Sequence, residues 1–133
     1  MNIAGGCYCG NIRFKSDGKP EASMQCHCRE CQYITGGNPN VIMIMPIDSF
    51  KFTKGQPQEF KRNDIENAVT RLFCNNCGTA IGTKTPTRAN SIILKVGTFD
   101  DPSIFDPKIA IFTCDKQKFH YIDNNVKSFN KRP

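Results

Sequence analysis

Apolar and polar residues along this chain fall into short alternating runs, divided by Gly, Pro, Asn and Asp. A period of two puts successive side chains on opposite faces of an extended backbone, so the pattern predicts β-strands rather than helices. The predicted strands are Asn11 to Lys15, Ala22 to Cys26, Asn40 to Met45, Phe50 to Thr53, Gln58 to Arg62, Val69 to Phe73, Thr79 to Thr83, Ser91 to Lys95 and Ile109 to Thr113. Only Arg29 to Thr35 predicts a helical turn or two, ended by Gly36 and Gly37. The Phe residues from Phe50 to Phe60 are interspersed with Lys. This reads as a half-buried strand pair in preference to a base-stacking surface. No repeat or low-complexity linker divides the chain, so one domain is expected over residues 1–133.

A chain of 133 residues with 38% apolar content can bury its own core. There is no basic leader with an apolar stretch behind it, and no run approaches the roughly 18 apolar residues of a membrane span. The expected location is therefore cytoplasmic, with no membrane partner. In a reducing compartment, eight cysteines point to metal or chemistry before disulfides. The formal charge of +6 counts every cysteine as neutral, and seven thiolates holding two zinc ions would lower it to about +3. The longest basic cluster, Lys127 to Arg132, is interrupted by Ser128, Phe129 and Asn130, so a nucleic-acid partner is not expected.

The cysteines form three groups. Cys7 and Cys9 flank Tyr8 in GGCYCG, and an extended backbone there would turn both sulfurs to one side. Ring strain opposes a disulfide within that C-x-C unit. Cys74 and Cys77 in FCNNCG resemble a zinc-ribbon knuckle, with Gly78 free to adopt the left-handed conformation that wraps the turn. Joining the two pairs would close a four-cysteine site. A redox dithiol is the weaker reading, because no βαβ setting surrounds the motif. The third group, Cys26, Cys28 and Cys31 in CHCREC, offers three ligands, which is the count of a catalytic zinc with an open position. The competing reading is a closed structural site completed by His27, Cys114 or His120. Cys114, in the apolar run IAIFTC, is expected to behave as a small buried hydrophobe. Iron in place of zinc is formally compatible with four cysteines.

Together GGCYCGNIRF, CHCRECQYITGG, FCNNCGTAI and the run from Asp106 to Phe129 resemble the glutathione-dependent formaldehyde-activating enzyme family, which includes centromere protein V. The resemblance implies a β-tent fold of packed antiparallel sheets stapled by zinc, with little helix. It implies a structural zinc on Cys7, Cys9, Cys74 and Cys77. A second zinc falls on Cys26, Cys28 and Cys31, where family members engage the thiol of glutathione. Two departures stand out: Phe119 takes the place of a common tryptophan, and Lys127 to Pro133 replaces an acidic end.

The expected activity is that of a zinc-dependent carbon–sulfur lyase or synthase. Its partners would be a small-molecule thiol, glutathione or similar, and formaldehyde or another small aldehyde. Three thiolates leave the zinc site at a net charge of −1, which favours a soft sulfur ligand over strong water activation. Candidate proton donors to the alkoxide are His27, Glu30, Tyr33 and His120, and Arg29 and Arg71 are candidate partners for glutathione's carboxylates. The alternative is a non-catalytic zinc-stabilised module that binds a protein or nucleic acid. A redox enzyme built on Cys114 is a third reading, and it requires that thiol to be exposed with a lowered pKa.

Overall fold

Eleven strands and one α-helix supply the regular structure, described over residues 1–133 of the computed structural model. The strands are β1 (Ile3–Gly6), β2 (Arg13–Ser16), β3 (Ala22–Cys26), β4 (Asn40–Pro46), β5 (Phe50–Lys54) and β6 (Gln58–Phe60), then β7 (Thr70–Phe73), β8 (Ala80–Lys84), β9 (Ser91–Lys95), β10 (Ile109–Ile111) and β11 (Lys127–Ser128). The helix α1 (Arg29–Thr35) joins β3 to β4. The predicted bounds of β3, β9 and α1 are those observed, and the other predicted strands shift by one to a few residues. Two strands were not predicted. The IAGG of β1 has two glycines and little strand preference of its own. It is extended because β2 pairs with it from Ile3↔Ser16 to Gly6↔Arg13. The two-residue β11 likewise exists only through its pairing with β10.

A three-stranded sheet in the order β1-β2-β5 packs against an eight-stranded sheet in the order β11-β10-β3-β4-β9-β8-β7-β6. The fold is mainly β, as expected. One edge departs from the antiparallel expectation, since β10 runs parallel to both β3 and β11. Parallel neighbours need a crossover of about a dozen residues or more, and residues 112–126 provide one between β10 and β11. The strand pair expected around Phe50 to Phe60 does not form, because β5 and β6 belong to different sheets. Phe50 and Phe52 pack on the core, whereas Phe60 stays exposed.

The main core lies between the sheets. Phe14 comes from the small sheet, and Met43, Met45, Leu72, Ile81, Ile92 and Leu94 from the large one, all fully buried. Burial of each such side chain contributes about 1.5–3 kcal/mol. Gly5 pairs with Phe99 at a point of close approach. A Cβ on Gly5 would lie 2.2 Å from the Thr98 carbonyl oxygen, so glycine is required there.

The central strand β4 is apolar on both faces because both are covered. Met43 and Met45 face the main core, while Ile42 and Ile44 join Met24 in a second, smaller cluster on the opposite face. Ile93, Ile109 and Ile111 pack beside that cluster. Cross-strand pairs Cys26↔Asn40, Ile42↔Lys95 and Thr83↔Ile93 put these side chains on that same outer face. No helix is long and apolar enough to cross a membrane.

Candidate metal centres

The sulfurs of Cys7, Cys9, Cys74 and Cys77 lie within 4.8 Å of one another. A tetrahedral zinc with sulfur at about 2.3 Å has sulfur–sulfur edges of about 3.8 Å. The Cys7–Cys9 separation is 3.6 Å and the Cys9–Cys74 separation 3.8 Å, so the donor set fits such an ion. The local route differs from the extended segment expected. Cys7 to Gly10 form a turn, in which the Gly10 N–H donates to the Cys7 carbonyl at 3.1 Å, and the curl converges the two sulfurs. Tyr8 still points away and is 94% exposed.

The second knuckle follows β7. Gly78 takes φ +76°, the conformation anticipated for it, and its N–H donates to the Cys74 carbonyl at 2.8 Å. Backbone N–H groups also face the sulfurs: Ile12 donates to Cys7 Sγ at 3.2 Å and Asn76 to Cys74 Sγ at 3.4 Å. Such donors favour the thiolate over the thiol. The Thr79 hydroxyl and N–H hold the Cys77 thiol down to about 5. Thr79 Oγ1 also accepts from the Tyr8 N–H at 3.1 Å, tying the two knuckles together.

Cys26, Cys28 and Cys31 form a second group, again with sulfurs within 4.8 Å. Cys26 ends β3, Cys28 caps α1, and Cys31 sits in the first turn of that helix. The spacing of three between cap and helix turn stacks Cys31 beside Cys28, whose sulfur accepts from the Cys31 N–H at 3.3 Å. Asn40, opposite Cys26 on β4, donates its side-chain amide to Cys31 Sγ at 3.5 Å. Hydrogen bonds from Cys26 and Cys28 pull Cys31 down to about 3, while contacts of Cys26 with Cys28 and Cys31, and then its burial, push Cys26 up. One thiolate is thus already favoured within the group.

None of the residues considered for closing this site joins it. His27 is fully buried with Nδ1 2.9 Å from His120 Nδ1. The Gln25 amide donates to His27 Nε2 at 3.1 Å, which makes His27 Nδ1–H the donor to His120. His120 Nε2–H then donates to the Gly37 carbonyl at 2.7 Å. Burial first, then His120 and Lys116, push His27 down to about 4, consistent with this neutral chain. Cys114 is exposed rather than buried, because IAIFTC leaves the sheet after Ile111 and enters a short 3-10 turn.

The three-cysteine group opens on a cavity of about 660 Å³, floored by Met24, Ile42, Ile44 and Ile93 and walled by Arg29, Glu30, Arg71 and Arg88. Both arginines nominated for carboxylates therefore line it. Arg71 pairs with Glu30 at 2.7 Å, and Arg88 with Glu21 at 2.8 Å. Arg29 bonds to Gln32 and lies over the ring of Tyr33, which is itself 79% exposed. Phe119 is exposed and stacks edge-on against His120.

Sequence reading missed three contributors on this side of the sheet. Buried Gln32 donates to the His27 carbonyl at 2.8 Å and the Asp115 carbonyl at 3.0 Å, locking the cysteine loop to the C-terminal segment. Asn40 supplies the donor to Cys31. Lys95 is 8% exposed and its ammonium has no hydrogen-bond partner. Burial pushes it down to about 8 against the attraction of Cys31, and the charge of Arg71 adds to the fall. The one available signal was the period of two in SIILK, which sets Lys95 on the face of Ile93, opposite Ile92 and Leu94.

No curated protein matches the chain. A Rhodobacter sphaeroides protein solved by crystallography as a Northeast Structural Genomics target is similar in fold. Its TM-score is 0.61 at 13% identity, covering 73% of this chain and 87% of that one. The sequence profile of the glutathione-dependent formaldehyde-activating enzyme matches residues 2–115, a span that holds all three cysteine groups and Lys95. By that match the chain belongs to the glutathione-dependent formaldehyde-activating enzyme family.

Proposed function

We propose that this protein is a carbon–sulfur lyase or synthase that joins a thiol, glutathione or a close analogue, to formaldehyde or another small aldehyde, and cleaves the adduct in reverse. The supporting observation is the three-cysteine group at one end of a cavity with an apolar floor and arginine walls. In this reading Cys7, Cys9, Cys74 and Cys77 would hold a structural zinc, and Cys26, Cys28 and Cys31 would hold a second beside the place where the thiol binds. Zinc held there would stabilise a substrate thiolate at neutral pH. The chain's own groups do the rest. Asn40 and the Cys31 N–H steady the sulfur ligands, and Arg29 and Arg71 meet the carboxylates of the thiol. The thiol proton leaves to solvent, sulfur attacks the carbonyl carbon, and the C=O electron pair moves to oxygen, which takes up a proton. The cytoplasm, rich in reduced thiols, is the proposed location.

Native mass spectrometry with and without glutathione tests this reading. Two zinc ions per chain and a glutathione adduct that vanishes in Cys28→Ser are expected. Two ions with no adduct would turn the assignment toward a non-catalytic binding module.

A further inference from the structure

The cavity has two walls, and they come from opposite sides of the eight-stranded sheet. The strands β3, β4 and β9 supply its apolar floor. On one side β7 and β8 bring Arg71 and Thr83, with Arg88 just beyond β8, and on the other the end of β10 brings Phe112. Phe112 lies one residue past Ile111, which pairs in register with Cys26 and whose carbonyl accepts from the His27 N–H at 2.9 Å. The second wall therefore stands next to the three-cysteine group.

Phe112 has φ +54° and ψ +42°, the left-handed conformation that a bulky residue rarely adopts. Such backbone persists only where its surroundings impose it, and it concentrates at ligand sites. Here the tail after β11 imposes it. The N–H groups of Phe112, Thr113 and Cys114 donate to the carbonyls of Lys131, Phe129 and Asn130 at 3.0, 3.2 and 3.2 Å. The Thr113 hydroxyl adds a bond to the Phe129 carbonyl at 3.0 Å. This lacing sets the Arg132 guanidinium 5.8 Å from the centre of the Phe112 ring, within cation–π range, and both residues line the cavity.

Four arginines line the cavity, and two of them are neutralised, Arg71 by Glu30 at 2.7 Å and Arg88 by Glu21 at 2.8 Å. Arg132 belongs to none of the molecule's ion pairs. The carboxylate on its own wall, Asp115, accepts from the Arg29 backbone N–H at 3.1 Å. A guanidinium steadied on a ring at the edge of a cavity, with no carboxylate of its own, is suited to bind one through two parallel N–H donors. We propose that Arg132 is a specificity-determining residue that binds a carboxylate of the thiol, so that the site selects a carboxylate-bearing thiol over a neutral one. This assignment rests on the thiol reading above. Arg132 lies outside residues 2–115, so the family match alone does not supply the contact.

The test compares the zinc-loaded parent protein with Arg132→Ala and Arg132→Lys by titration calorimetry against glutathione, glutathione diethyl ester and 2-mercaptoethanol. The diester keeps the thiol and masks both carboxylates. Arg132→Ala should bind glutathione about tenfold more weakly than the parent and bind the diester and 2-mercaptoethanol as the parent does. Arg132→Lys keeps the charge without the planar fork and should recover part of the loss. Both variants should hold two zinc ions in native mass spectrometry and melt with the parent, because the side chain is exposed. Parent-like affinity for glutathione in Arg132→Ala would overturn the role of Arg132 alone. An equal loss for all three thiols would make Arg132 a structural part of the wall and overturn it too. A parent protein that binds none of the three would overturn the thiol reading, and this assignment with it.

Discussion

The two cysteine centres use the same ligand chemistry in opposite surroundings. The four-cysteine centre joins the turn after β1 to the turn after β7, two segments more than sixty residues apart in sequence. Cys7 and Cys74 are buried in the main core, and Thr79 laces the knuckles together. The three-cysteine centre joins neighbours in sequence and stands on the outer face of the large sheet, at the edge of a cavity. A link across a long loop removes much conformational freedom from the unfolded chain, and a link within six residues removes little. A metal held at the first centre would therefore stabilise the fold more than one held at the second.

Breaking the four-cysteine centre should have the largest effect. Cys74→Ser removes one of its thiolates, and a structural zinc of this kind contributes on the order of 10 kcal/mol. Circular dichroism should show loss of the cooperative melt, and a native-like melt would remove the structural role from this centre. Next comes the main core, where Leu94→Ala should cost about 2–5 kcal/mol in denaturant unfolding. Its neighbour Ile93, half-buried on the cavity face, should cost clearly less as Ile93→Ala, and equal costs would mean the two faces are packed alike.

Cys28→Ser should leave the melt nearly intact while the second zinc and the glutathione adduct are lost, a separation seen by pairing thermal scans with native mass spectrometry. Falling pH sharpens the same contrast. Protonating thiolates releases metal, so acid removes zinc and alkali does not, and zinc should leave the three-cysteine centre first because fewer protein ligands retain it. A chelator-linked zinc release curve with a single step would argue against two distinct centres. The smallest effect on stability is expected of Arg71→Ala. Its pair with Glu30 is partly exposed and contributes about 0–1 kcal/mol, yet glutathione affinity should fall about tenfold if Arg71 meets a carboxylate.

Much of this site was legible in advance because cysteine spacing is local information. Cys28 and Cys31 come together because a helix starts between them, and Gly78, in the left-handed conformation, lets the C-x-x-C turn close on Cys74. The grouping of Cys7 and Cys9 with Cys74 and Cys77 was also anticipated, although by a turn at Cys7 to Gly10 and not an extended run. The exposure of Cys114 went the other way. Its apolar neighbours Ile109 to Ile111 belong to β10, and the strand ends before the cysteine is reached.

By itself the sequence determined the mainly β character, the helix at Arg29 to Thr35, the three cysteine groups and the kind of metal they suit. These follow from periodicity, turn chemistry and ligand type, which act over a few residues. Tertiary structure alone decided that IAGG is a strand, that β10 lies parallel to β3, that the rings of His27 and His120 engage each other, and that Lys95 is buried with no partner. Each of these depends on which distant backbone or side chain arrives beside it, and that is set by packing the whole chain against two faces of one sheet.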